Sequence, residues 1–101
     1  MIRELQAIGI VLNEEQNRFE LPVGGHTAHL DFVKRGNDSI ELLAITLPEP
    51  LANPNVLTAL IEKTLRILAK QDTAVSVQCP QVKDYLEKNP TWTEKVNILT
   101  S

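Results

Sequence analysis

Cysteine, aromatic residues, glycine and clustered positive charge are all scarce in this 101-residue chain. Each scarcity removes a class of function. A single cysteine, Cys79, excludes an intrachain disulfide and fits a reducing compartment. Two Phe, one Trp and one Tyr are too few to build a stacking platform for single-stranded nucleic acid. The net charge is −3 and no basic run exceeds Lys34-Arg35, so the phosphate-neutralising face of a nucleic-acid binder is missing. The two histidines, His26 and His29, are three apart on an expected strand and point to opposite faces, so no metal site is expected. No apolar run is long enough to cross a bilayer. The start, MIRELQAIGIVLNEE, carries early acids and is unlike a secretory signal. These features predict a soluble, cytoplasmic protein with no nucleic-acid or membrane partner.

What remains is ordinary globular material. Hydrophobic residues make up 43% and charged residues 23%, close to globular averages, so the chain has enough apolar surface to fold. The length fits one domain over residues 1–101, with one core.

Residues 7–13 (AIGIVLN) predict a first strand and 18–22 (RFELP) a second, broken by Gly24-Gly25. In Thr27–Val33 the residues Ala28, Leu30 and Phe32 alternate with Thr27, His29 and Asp31, the period of a half-buried strand. Here His29 and Asp31 fall on the solvated face, and His26 reads as a turn residue. Gly36-Asn37-Asp38 predicts a hairpin turn, because Gly and Asn tolerate positive φ. Strand four runs Ile40–Leu47, and its apolar stretch from Leu42 predicts a strand covered on both faces. An acidic pair between Asp31 and Glu41 across strands three and four is also possible from the sequence. Pro48 and Pro50 end strand four.

The junction Leu47–Leu60 (LPEPLANPNVLTAL) then passes into a helix. Asn53 is a good N-cap and Pro54 suits the first helical position. Leu57, Leu60, Ile61, Leu65 and Leu68 recur at helical spacing up to Gln71-Asp72. Residues 73–79 predict a fifth strand with Val75, Val77 and Cys79 on one face. Pro80 opens a short helix through Asn89, with Val82, Tyr85 and Leu86 inward, and 95–99 predict an edge strand. Tyr85 and Trp92 are placed as anchors of the last helix and tail. The fold class is therefore α+β, in the order β-β-β-β-α-β-α-β. Strands one to four are antiparallel, and strands four and five are parallel through a right-handed crossover.

Several stretches resemble a small single-domain branch of the GNAT N-acetyltransferase superfamily. Arg18-Phe19-Glu20-Leu21 is similar to its opening strand, Leu47-Pro48 to the end of its strand four, and Ala59-Leu60-Ile61 to its helix turn. Cys79-Pro80 with Val82, Tyr85-Leu86, Asn89-Pro90 and Trp92 is similar to its C-terminal pattern, the most specific of the matches. The resemblance implies splayed strands four and five with the pantetheine arm of acetyl-CoA between them. It implies a pyrophosphate on the N–H groups of the following helix, the usual seat of anions at helix starts. The reaction implied is acetyl transfer from acetyl-CoA to an amine on a small molecule or protein. Cofactor contacts are implied at Thr46, Leu47, Asn53, Asn55, Val56 and Leu57, and Cys79 as nucleophile or acetyl carrier.

The chain departs from that pattern where the phosphate chemistry lies. The family loop is Arg-Gly-x-Gly-x-Gly or Ala; aligned without gaps, its Arg falls on Ala52 and its glycines on Asn53, Asn55 and Leu57. Pro54, between the first two, has no N–H to donate. The branch's His near the end of strand four falls on Ala44. As an N-cap, the Asn53 side chain competes with phosphate for the same N–H groups. Glu49 adds a negative charge nearby. Acetyl-CoA binding is therefore expected to be weak or lost. The alternative is a non-catalytic binding domain of the same fold, a monomer or a homodimer through an edge strand. A different acyl or nucleotide ligand in the gap between strands four and five is a third expectation. At the N-cap of the second helix, Cys79 is the best catalytic candidate by residue type. A small core residue is the plainer role for a lone Cys in line with Val75 and Val77.

Overall fold

The structure, a computed structural model, describes residues 9–99. Six strands form one sheet in chain order: β1 (Val11–Asn13), β2 (Arg18–Val23), β3 (His26–Lys34), β4 (Ser39–Thr46), β5 (Ala74–Val77) and β6 (Asn97–Leu99). The first three pairings are antiparallel; β4–β5 and β5–β6 are parallel. The long helix α1 (Pro54–Gln71) connects β4 to β5, and α2 (Pro80–Lys88) with the short α3 (Trp92–Lys95) connects β5 to β6. The α+β class, the strand order and the parallel fourth and fifth strands match the expectation.

The sheet buries one face. Phe19 and Leu21 of β2, Ala28, Leu30 and Phe32 of β3, Ile40 and Leu42 of β4, and Val75 of β5 join the α1 stripe Val56, Ala59, Leu60, Ile61, Leu65 and Leu68 in one core. Each alternates along its strand with a residue of the opposite face, as the two-residue strand period requires. That opposite face carries ion pairs: Arg18 Nε to Glu20 Oε2 at 2.8 Å, and Arg35 Nη2 to Glu41 Oε1 at 2.6 Å. An antiparallel sheet tolerates one wet face in this way.

Helix α1 begins and ends as its sequence dictates. Asn53 holds extended dihedrals and its side chain accepts from the Val56 N–H, with Pro54 at the first helical position. Asp72 closes the helix in the left-handed region at φ 54°. The Gly24-Gly25 turn between β2 and β3 has both residues at positive φ, 57° and 86°, as a two-residue hairpin of this kind needs.

Several expectations are corrected. Strand one is shorter than 7–13: residues 7 and 8 lie outside the described residues, and Gly9 and Ile10 precede the strand. Extending the register would set Gly9 opposite Pro22, which has no N–H for the ladder. Strand four is not covered on both faces: Leu43 is 39% exposed, because the helices pack on only one side. Asp31 does not pair with Glu41; it lies opposite Ala44, while Glu41 lies opposite Val33 and takes Arg35. His26 is the first residue of β3, paired with Val23, and not a turn residue. The fifth strand stops at Val77, short of 79, and Lys95 belongs to α3 and not to the last strand. A 3₁₀ turn, Glu49–Leu51, was not foreseen; Leu51 is driven into the core at 5% exposure.

Candidate functional site

Strands β4 and β5 part company at Leu42. Their parallel register ends at Leu42 opposite Val77, and the Leu42 carbonyl then accepts from both Gln78 N (2.8 Å) and Cys79 N (3.2 Å). Two donors on one carbonyl mark the point where β5 turns away into α2. Beyond it β4 continues with β3 alone, through Ala44 opposite Asp31, Ile45 opposite Leu30 and Thr46 opposite His29. Between Leu42 and Ala44 the register slips, so Leu43 is an extra residue, a β-bulge that bends the strand at the fork. Among the described residues β4 has no strand partner on its β5 side beyond Leu42.

The junction Leu47–Leu60 follows the end of β4. Thr46 ends β4 and is exposed, Leu47 is half-buried against the core, and the 3₁₀ turn reverses the chain into α1. At the start of α1 the amide donors can be counted one by one. Pro54 has none. The Val56 N–H goes to Asn53 Oδ1 at 3.0 Å, and the Leu57 N–H to the Asn53 carbonyl at 3.2 Å. The Asn55 N–H alone has no protein partner among the described residues. A helix start normally offers several free donors to an anion; this one offers a single N–H.

Thr46, Leu47, Asn53, Asn55, Val56 and Leu57 all belong to this connection between β4 and α1. Their side chains differ in availability. Asn53 and Asn55 are exposed, Leu57 is half-buried, and Val56 is sealed in the core at 3% exposure. Leu57 also lines a groove of about 400 Å³ between the first half of α1 and α2, with Ile61, Glu62, Asp84, Tyr85 and Lys88. The acids of this groove carry no motif, and only their placement on facing helices brings them together.

Cys79 occupies the N-cap position of α2, with Pro80 at the first helical position, as expected. Its side chain makes no capping bond; the thiol is 0% exposed and lies 3.1 Å from Gln81 Oε1. Both histidines sit on β3, across β4 from Cys79. His29 lies on the wet face with Asp31, Nε2 to Oδ1 at 3.8 Å. Tyr85 and Trp92 are half-buried and bonded to each other, Trp92 Nε1 donating to Tyr85 Oη at 3.2 Å, which anchors α3 to α2.

The most distinctive electrostatics lie on the wet face. Glu41 receives hydrogen bonds from Arg35 and from Gln78 at the fork, and these hold its carboxyl below the ordinary glutamate range. Among the described residues no group of three or more His, Cys, Asp or Glu side chains could hold a metal ion, and no helix is long and apolar enough to cross a membrane.

A family model described as GCN5-related N-acetyl-transferase matches residues 18–96, from the first residue of β2 to the edge of β6. No curated protein matches the chain. With most of its length inside that match, the chain belongs to the GCN5-related N-acetyltransferase family. Members of this family generally use acetyl-CoA and act on amines.

Proposed function

We propose that this member of the family keeps the acetyl-transfer scaffold but has lost most of its grip on the cofactor's pyrophosphate. The observation that carries the proposal is the Val56 N–H bonded to Asn53 Oδ1 at 3.0 Å. The donor that a phosphate oxygen needs is already used by the protein.

Three neighbours add to the effect. Ala52 brings no charge where the family pattern has Arg. Pro54 removes an N–H, and the Leu57 side chain occupies space where a backbone would approach the ligand. Each charge-assisted hydrogen bond lost is worth roughly 1.5–3 kcal/mol. Two such losses weaken binding by about a hundredfold or more.

Acetyl transfer in this reading is correspondingly weakened. Bound acetyl-CoA would supply an acetyl thioester for transfer to an amine, and the edge of β4 beyond Leu42 with the backbone at Thr46-Leu47 would hold its thioester arm. Cys79 is the candidate nucleophile by resemblance. A fully buried thiol with no imidazole beside it on the fork supports packing as its main work. That burial also favours the second reading, a binding domain that performs no transfer.

Calorimetric titration with CoA tests the proposal. Weak binding, well above the micromolar range, is expected. Low-micromolar binding would overturn it.

A further inference from the structure

We infer that two copies of this chain pair through the β6 edge and the groove beside it, as a two-fold dimer. The inference is independent of the proposed function, because no residue of the connection between β4 and α1 takes part.

The groove lies between α2 and the ends of β5 and β6. It holds about 360 Å³, and its apolar lining is Val77, Leu86, Ile98 and Leu99. Leu99 is 45% exposed, one of three large hydrophobic residues in solvent among the described residues. β6 is the last strand of the sheet, with β5 on one side and, among the described residues, no strand on the other. It carries no Lys, no Pro and no bulge, the devices that keep edge strands from pairing. The family match ends at residue 96, so this edge lies beyond the matched stretch.

Charge identifies the occupant. Lys83 and Glu87 also line the groove; both are exposed, and neither has an ion-pair partner among the described residues. They are four apart on α2 with the lysine first, the weaker order for a pair within one helix. Asp84 and Lys88, one position on, have the favourable order and do pair, at 3.1 Å. A second α2, antiparallel and related by a two-fold axis, sets Lys83 against the partner's Glu87 and Glu87 against the partner's Lys83. The charged pair is centred one residue from Leu86, and β6 is centred on Ile98; both side chains line the one groove. A single axis therefore serves helix and strand. The two β6 strands bond edge to edge, and the apolar side chains of the two grooves cover each other. A second copy brings both charges in the required order by symmetry. A three-residue strand and one helix face per protomer make a small interface, so a weak dimer with Kd about 0.1 mM is expected.

Sedimentation equilibrium of the intact protein from about 10 µM to about 1 mM tests the pairing. A monomer–dimer equilibrium is expected. Lys83→Glu and Glu87→Lys each turn two attractions into two repulsions, and each should weaken self-association by at least about tenfold. An equimolar mixture of the two variants should regain the parent's affinity, because each chain then meets opposite charges. That rescue also shows that both variants are folded. A parent that stays monomeric at about 1 mM overturns the inference. So do single variants that associate within about twofold of the parent, or a mixture no tighter than either variant alone. Amide shifts that change with concentration at β1, and not at β6 and α2, would also overturn it.

Discussion

Replacing Asn53 with glycine separates the two things this side chain does. As an N-cap it satisfies the Val56 N–H at 3.0 Å. Glycine at an N-cap position costs only a few tenths of a kcal/mol relative to Asn, because water reaches the freed donor. For a domain of this size that lowers Tm by roughly 1–4 °C. The ligand effect is larger. The freed N–H can form a charge-assisted bond with a phosphate oxygen, worth roughly 1.5–3 kcal/mol, or about ten- to a hundred-fold in affinity. Pro54 and Leu57 remain, so the lower end, about tenfold, is expected. Asn53→Asp is the control: it keeps the cap, adds a negative charge, and should weaken CoA further. Thermal unfolding and CoA titration of the three proteins decide the matter. An Asn53→Gly protein that folds normally yet binds CoA within about twofold of the parent would refute competition between cap and phosphate.

Other expectations follow from single residues. Thr64 is fully buried on α1 and its hydroxyl has no hydrogen-bond partner among the described residues. Thr64→Val should therefore stabilise the fold by about 1 kcal/mol in urea denaturation. Leu60→Ala, at a position with 0% exposure between α1 and the sheet, should destabilise by about 2–5 kcal/mol on the same assay. Glu41 has a lowered folded pKa, so it adds stability that is complete above its unfolded value and fades as pH falls through the folded one. Glu41→Gln should flatten that part of the acid limb of a Tm–pH curve, and an unchanged slope would remove Glu41 from the explanation. Asp72 ends α1 with φ 54°, a conformation that favours glycine, and its negative charge faces the negative helix end. Asp72→Gly should raise stability by about 0.5–1 kcal/mol.

Much of the fold was legible because its signals are local. The alternation of Ala28, Leu30 and Phe32, the Gly24-Gly25 and Gly36 turns, and the Asn53-Pro54 start of α1 each declare themselves within a few residues. The one-sided burial of β4 was not legible. Leu43 looks like a core residue in sequence, and its exposure follows from a register slip against β3 and from where the helices lie. Pairing of Asp31 with Glu41 failed on the hairpin register: Lys34 opposite Ile40 sets Glu41 opposite Val33 before the slip, and the slip then moves Asp31 to Ala44. For the site, the blocked helix start was readable from Asn53 and Pro54 alone. The groove between α1 and α2 was not: Glu62 and Asp84 are distant in sequence, and only the packing of α1 beside α2 brings them to one lining.

The central claim is that the start of α1 no longer holds a pyrophosphate, and one titration reaches it directly. Adding CoA to the unmodified protein while following the Asn55, Val56 and Leu57 amide resonances reads affinity and location together. The expected result is weak binding with the Val56 amide unmoved, still bonded to Asn53. Tight binding with large shifts at all three amides would contradict it, because the cap would then have yielded to the phosphate.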